Sequence, residues 1–465
     1  MGIYSRYRIS KPSLEKVPDA QIQPKYHSLR SRTFWGATVA YSLYYVCRLS
    51  LGVVKQPLID EGILTPAQLG LIGSALLFVY AAGKFLNGFI ADYCNIRRFM
   101  ATGLLLSAVV NLLMGVLGLF ENNAGWFNLL LFGVFAVSWG INGWVQSMGA
   151  PPGIINLSRW FPLSKRGTYY GIFSASPYVG EFLSFILVGV IVGAFGWQYG
   201  FIFSAICGFI GVAIILLFVH DTPESEGLPS VQTLTGEIPV KEDSMPTSEL
   251  QKMVLSHSGI WIIAASSAFI YIVKYAVAGW GVLFLQKAKD FSLESASQII
   301  AFSAALGVLG TVTAGWLSDT VFKGDRIKPA ILSGVLVVLS LAAFLLTEGG
   351  YIENVLYISL FSLASGVLYC IIAGLMAVDI VPRKATGAAL GIVGISSYVA
   401  AGIQDIVSGH LIEKYAQLPK VTEGLTQTQI LSATVYDFLP ASIFWIVCSI
   451  VAFVLPVVFW NKMKR

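Results

Sequence analysis

The sequence predicts an all-α membrane protein: twelve transmembrane helices in two pseudo-symmetric six-helix halves. Three observations lead there. Of the 465 residues, 56% are hydrophobic and only 12% are charged, with a mean hydropathy of +0.73. Such values fall outside the soluble globular range and inside the multi-spanning membrane class. The apolar residues gather into twelve runs of about 20 or more, each long enough to cross ~30 Å of hydrocarbon. Finally, several polar features recur across the middle of the chain at a nearly constant offset.

The first six runs span 34–56, 66–91, 98–119, 126–157, 166–195 and 198–220. The first holds Arg48, a cation inside a segment that should cross the bilayer. A cation at a helix centre costs roughly 2.5–3.5 kcal/mol on insertion scales, so it is expected to face a partner or a wet cavity. The second run carries Tyr80 and Lys84, one turn apart, and ends in Gly88-Phe-Ile-Ala-Asp92. Arg97 and Arg98 stand at the start of the third. Pro151-Pro152 interrupts the fourth, as is tolerated where backbone lines a cavity or must bend. The fifth opens with Arg166-Gly-Thr-Tyr-Tyr-Gly171 and contains Glu181.

The stretch 221–256, with seven acids and two lysines, breaks the apolar pattern and reads as a solvated linker. Six more runs follow at 257–287, 293–318, 327–347, 353–380, 385–412 and 433–461. The seventh repeats the first, because Lys274 follows Arg48 by 226 positions and each cation lies three residues after a tyrosine. Gly315-Trp-Leu-Ser-Asp319 repeats the Gly88 loop at an offset of 227. Thr386-Gly-Ala-Ala-Leu-Gly391 repeats the Arg166 opening at 220. The eleventh run holds Asp405. Internal repetition of this kind marks transporters whose substrate sits near the midplane between the halves. The expected segments are therefore a cytoplasmic tail (1–33), a six-helix bundle (34–220), a cytoplasmic linker (221–256), a second bundle (257–461) and a short tail (462–465).

With both termini in the cytoplasm, 22 of the 30 Lys and Arg fall on the cytoplasmic side and five on the other, Lys55 among the five. Arg48, Lys84 and Lys274 remain in the membrane. The bias predicts an N-in, C-in orientation and explains the net charge of +5 without nucleic-acid binding. No cleavable leader is expected, since the first 33 residues lack an apolar core followed by a small-residue cleavage site. The five cysteines show neither a disulfide framework nor metal-ligand spacing, so neither metal nor cofactor is expected. No nucleophile–base pair or pair of catalytic carboxylates points to an enzyme.

Tyr41, Tyr45 and Arg48 share one helix face, and Tyr271, Lys274 and Tyr275 cluster likewise. Cations beside phenols, with little acid nearby, suit a phosphate dianion: Arg grips two oxygens, Lys supplies a point charge and Tyr adds hydrogen bonds. For Glu181 and Asp405 the residues leave three roles open: bonding sugar hydroxyls, carrying a proton, or balancing a cation such as Lys84. Asp92 and Asp319 read as structural or gating residues that cap a helix or pair with Arg97 or Arg326.

On these residues the chain resembles the organophosphate:phosphate antiporter family of the major facilitator superfamily, over nearly its whole length. The segments that carry the resemblance are Tyr44-Tyr45-Val-Cys-Arg48, Tyr80-Ala-Ala-Gly-Lys84-Phe, Asn142-Gly-Trp-Val-Gln146-Ser-Met-Gly149 with Pro151-Pro152, Arg159-Trp-Phe and Asp221-Thr-Pro-Glu-Ser-Glu-Gly-Leu-Pro229. The resemblance implies that Arg48 and Lys274 hold phosphate, and that Tyr41, Tyr45, Tyr80, Lys84, Gln146, Tyr271, Tyr369 and Tyr398 line the cavity. Glycerol-phosphate carriers of the family have a second arginine where Lys274 stands and a histidine where Pro177 stands. The lysine is similar to glucose-6-phosphate carriers, and Ala314 to Arg326 resembles bacterial hexose-phosphate members, some of them sensors. The expectation is a monomeric bacterial inner-membrane antiporter that exchanges a sugar phosphate for inorganic phosphate. A sensor on the same fold and a glycerol-3-phosphate carrier are the alternatives.

Overall fold

The computed structural model describes residues 7–120, 125–236, 247–381, 386–419 and 426–463. Among them, twelve helices are long and apolar enough to cross a membrane. They are α1 (Asp19–Asp60), α2 (Pro66–Asp92), α3 (Ile96–Gly118), α4 (Trp126–Trp160), α5 (Ser164–Phe195), α6 (Trp197–Phe218), α7 (Ser258–Lys289), α8 (Leu293–Ala314), α9 (Ile327–Leu346), α10 (Tyr351–Met376), α11 (Ala388–Lys414) and α12 (Leu439–Trp460). Helix is the required answer for an apolar chain in lipid, because each backbone N–H and C=O is satisfied within its own segment.

Within the first half α1 packs on α5 and α6, α3 on α6, and α2 on α4; within the second α7 packs on α12, α8 on α10, and α9 on α10. Among the described residues the spans of the two halves meet chiefly as α2 with α11, α5 with α8, and α1 with α7. These are the helices that carry Arg48, Lys84, Lys274 and Tyr398.

Local breaks fall where the sequence forces them. In α4 the turn Ser147–Gly149 closes with N–H bonds to carbonyls three residues back, because Pro151 and Pro152 have no N–H to offer the previous turn. Gly149 sits there against α1, where a Cβ would come within 2.9 Å of the Tyr41 ring. Among the described residues three segments widen into π-helix, each at or beside a position singled out in the sequence: Ser184–Val188 just after Glu181, Leu317–Val321 around Asp319, and Cys370–Met376 directly after Tyr369. Such widening frequently marks functional sites.

Two polar regions are more ordered than their composition suggested. The N-terminal stretch is helical from Asp19, with Tyr26, Leu29 and Thr33 buried. Ahead of it, residues 7–17 run along the first half as a strap. Ser10 N–H bonds Asp221 (2.7 Å), Ser13 N–H bonds the Glu224 carbonyl (2.9 Å) and Val17 N–H bonds the Gly227 carbonyl (3.0 Å). The beginning of the expected solvated linker is correspondingly docked. Asp221, Leu228 and Val231 are buried, and Asp221 pairs with Arg159 at 2.5 Å while accepting the Ile96 N–H. Acidic composition misled here, because one of those acids is held inside by an arginine and backbone donors.

At the end of the bundle opposite the strap, a short antiparallel pair, Ala416–Gln417 with Val435–Tyr436, takes up residues that read as the start of the last span. Lys287 reaches from α7 to Asp60 of α1 (2.6 Å) and to the Ser432 carbonyl (3.1 Å). Gln56 and Gln286 bond each other one turn deeper. The two halves are thus closed together at this end.

Candidate anion-binding site

Arg48 lies in the middle of the bundle with 4% of its surface exposed. Aromatic rings surround its guanidinium: Tyr80 at 4.1 Å, Tyr45 at 5.4 Å, Tyr398 at 5.6 Å and Tyr275 at 5.9 Å from the ring centres. One Nη2–H bonds the Tyr275 hydroxyl at 3.0 Å. Ring faces stabilise a cation by roughly 0.5–2 kcal/mol each without neutralising it. The helix that carries Arg48 is fixed from behind by an amide network. Asn111 and Asn142 both donate to the Cys47 carbonyl (2.9 and 3.2 Å).

Lys84 of α2 approaches the Tyr398 ring at 5.0 Å from the other side. It is exposed although deep in the bundle, so it opens onto the space between the halves. Lys274 of α7 lies 4.8 Å from the ring centre of Tyr178. Tyr398 lies in the electrostatic field of all three cations and packs against Tyr80 (4.6 Å) and Tyr271 (5.2 Å). Tyr271 donates to the Tyr369 hydroxyl at 3.2 Å. Two cations from the first half and one from the second therefore converge on one tyrosine of α11. Among the described residues, none of the three forms an ion pair with a carboxylate.

The two acids behave differently. Asp405 does not balance Lys84. It pairs with Lys55 at 3.5 Å and accepts the Trp280 indole N–H at 2.6 Å, while Lys55 also lies over the Trp280 ring. Lys55 is only 2% exposed. Its expected place on the outer side is therefore corrected: it is a fourth cation inside the bundle, two turns beyond Arg48 on the same helix face. Gly73 makes room for this pair, since any Cβ there would overlap the Asp405 carboxylate. Glu181 is buried in the field of Lys274 and Arg48. Four interior cations against two carboxylates leave a formal surplus of two positive charges among the described residues.

Tyr41 adjoins this cluster, its ring 5.6 Å from that of Tyr45 and stacked on Phe173 at 5.1 Å. The remaining expected residues are placed elsewhere. Gln146 is committed to packing: its amide donates to the Tyr44 carbonyl (2.9 Å) and to Ser107 (2.8 Å). Asp92 offers its backbone carbonyl to Arg159, and Arg97 bonds the Leu216 carbonyl. The side chain of Asp319 lies outside the described residues. Arg326 pairs with Asp379 at 3.0 Å and bonds Ser318 at 2.6 Å. Among the described residues no group of three or more His, Cys, Asp or Glu is placed to hold a metal.

Sequence reasoning missed Tyr178, Lys55, Trp280 and the Arg159–Asp221 pair. Helical spacing offered a signal for two of them. Tyr178 stands three residues before Glu181, and Lys55 seven after Arg48, each on the same face.

A sequence profile of the Major Facilitator Superfamily matches residues 36–404. The glycerol-3-phosphate transporter of Bacillus subtilis is 31% identical over 414 residues, 87% of this chain and 91% of that protein. A probable hexose phosphate transport protein of Chlamydia pneumoniae is 30% identical over 422 residues, 86% of this chain and 89% of that protein. The membrane sensor protein UhpC of Escherichia coli is 26% identical over 392 residues, covering 82% and 86%. Among solved structures, an inward-facing, occupied bacterial homologue of the human lysosomal transporter Spinster superposes with a TM-score of 0.70 at 18% identity, covering 94% of this chain and 97% of that one. Twelve spans in two halves, a central site fed by both, and a profile match over most of the chain agree: this integral, multi-pass membrane protein belongs to the Major Facilitator Superfamily.

Proposed function

We propose that the protein exchanges a sugar phosphate, specifically a hexose 6-phosphate, for inorganic phosphate by alternating access across a bacterial inner membrane. The coarse class, a transporter of phosphate esters, rests on the relatives named above, which are glycerol-phosphate and hexose-phosphate transporters over most of their length. One observation carries the finer reading: three cations, Arg48, Lys84 and Lys274, converge on Tyr398, and the only paired interior carboxylate, Asp405, is taken by Lys55 among the described residues. A phosphate ester carries about −1.5 to −2 charges near neutral pH and three acceptor oxygens. It matches the surplus of two and can take bidentate bonds from Arg48 with point charges from the lysines. The lysine at 274, where glycerol-phosphate carriers of the resembled family have arginine, supports a hexose ester over glycerol 3-phosphate.

The same surplus accounts for coupling. The empty site holds repelling cations and closes poorly; phosphate or its ester cancels them and favours the occluded state. Proteoliposomes test this directly. Uptake of radiolabelled glucose 6-phosphate should require phosphate inside the vesicles, and equal uptake into phosphate-free vesicles would overturn obligatory exchange. Similarity to a sensor protein favours a second reading, binding without net flux. Saturable binding to the purified protein combined with no exchange in vesicles would select it.

A further inference from the structure

Beside the cation cluster lies a small, partly open cavity whose lining includes Tyr178 and Glu181 of α5, Lys274 of α7, Ser303 of α8, and Ser362 and Tyr369 of α10. Its volume is about 20 Å³, the size of a single water or hydroxyl group. Apart from Lys274, every polar group in that set is a hydroxyl or a carboxylate. The surroundings act on Glu181 through burial and the fields of Lys274 and Arg48, and among the described residues no donor bonds its carboxylate. Within that set its acceptor oxygens are open to a hydroxyl donor.

We infer that Glu181 is a specificity-determining residue that accepts a hydroxyl on the carbon skeleton of the phosphate ester and excludes esters bearing a second anionic group at that place. The inference rests on the proposed phosphate-ester exchange. Once the phosphoryl group engages Lys274, the nearest remaining formal charge in the cavity is the Glu181 carboxylate. A ligand hydroxyl donates to it; a ligand carboxylate has no donor, occupies more room and meets a like charge in a poorly hydrated pocket. Discrimination by a built-in repulsion needs no extra contact to the favoured ligand.

Glycerol 3-phosphate and 3-phosphoglycerate form a matched pair of probes, since a terminal CH₂OH in one is a carboxylate in the other. In proteoliposomes, the concentrations of each that half-inhibit phosphate:phosphate exchange give a ratio that is independent of the absolute rate. The wild-type protein should favour glycerol 3-phosphate, E181Q should shift the ratio toward 3-phosphoglycerate by about tenfold or more, and E181D should keep the wild-type order. For a variant too slow to assay, the same ratio is read from the ligand concentrations that raise the melting temperature of the purified protein. An E181Q ratio equal to that of the wild type would overturn the inference while leaving phosphate exchange standing, and would reduce Glu181 to charge balance. A wild-type protein that exchanges no phosphate and is stabilised by neither probe would overturn the proposed function and this inference with it.

Discussion

Lys55 and Asp405 stand 3.5 Å apart across the boundary between the two halves, although 350 positions separate them in the chain. The pair lies toward the end that Asp60–Lys287 closes, and it ties α1 to α11; under the proposed alternating access, opening this end would pull the two charges apart. Removing one partner of a buried pair costs about 3–5 kcal/mol, because the other charge is left uncompensated. Lys55→Met should therefore shift the population toward the state open at this end. A cysteine at Ala278 should then react at least about tenfold faster with an impermeant maleimide. The double variant K55M/D405M should return toward the wild-type rate.

Gly73→Ala should act through the same pair without touching either charge. A methyl group there occupies the space of the Asp405 carboxylate, and overpacking of this kind costs about 1–3 kcal/mol. The maleimide assay should place G73A between the wild type and K55M. Labelling equal to wild type would show that Asp405 is not held where the structure puts it.

Arg48→Ala should abolish phosphate exchange, and Arg48→Lys should keep a fraction of it. The guanidinium is held in a cage of tyrosine faces and offers two parallel donors. Losing two charge-assisted hydrogen bonds corresponds to about 100-fold or more in rate. Radiolabelled phosphate counterflow reads the loss directly, and exchange near the wild-type rate in R48A would remove the central site.

Lys274→Arg should retain phosphate exchange within about tenfold while changing the order of organophosphates that compete with it. The planar fork cannot occupy the position of the ammonium beside Tyr178 without reorienting. A competition panel of glucose 6-phosphate, glycerol 3-phosphate and phosphoenolpyruvate checks the order.

Asp221→Ala should destabilise the strap end of the first half. The carboxylate receives Arg159 at 2.5 Å, the Ile96 N–H at 3.0 Å and the Ser10 N–H at 2.7 Å while only 3% exposed. Losing it should lower stability by about 3–5 kcal/mol, seen as a lower melting temperature in detergent and faster proteolysis of residues 7–17.

The twelve spans were legible because an apolar run of fixed length is a local property, and so was the correspondence of Arg48 with Lys274. The tyrosines on the cation faces were legible through helical spacing. What stayed hidden depends on contacts between distant segments. Asp405 was visible as an acid in a membrane span, yet its partner is 350 residues away on a helix that the charge count had assigned to water at that point. Gln146 carries a side chain suited to a ligand, and only the packing of α1 and α3 around it shows that its donors are already engaged. Asp221 sits in a stretch whose average composition is that of a solvated loop, and averages do not register one buried arginine pair.

The surplus of two positive charges inside the bundle also has an electrical side. Carrying one elementary charge through 100 mV is worth about 2.3 kcal/mol. If access passes from one face of the membrane to the other as proposed, the voltage drop across Arg48 and its neighbours is redistributed. Empty, the site takes its charge through that change; with a dianion bound it is close to neutral. Under the proposed exchange, membrane voltage would bias the unloaded transition, opposing it in one direction and favouring it in the other, and leave the loaded step nearly untouched.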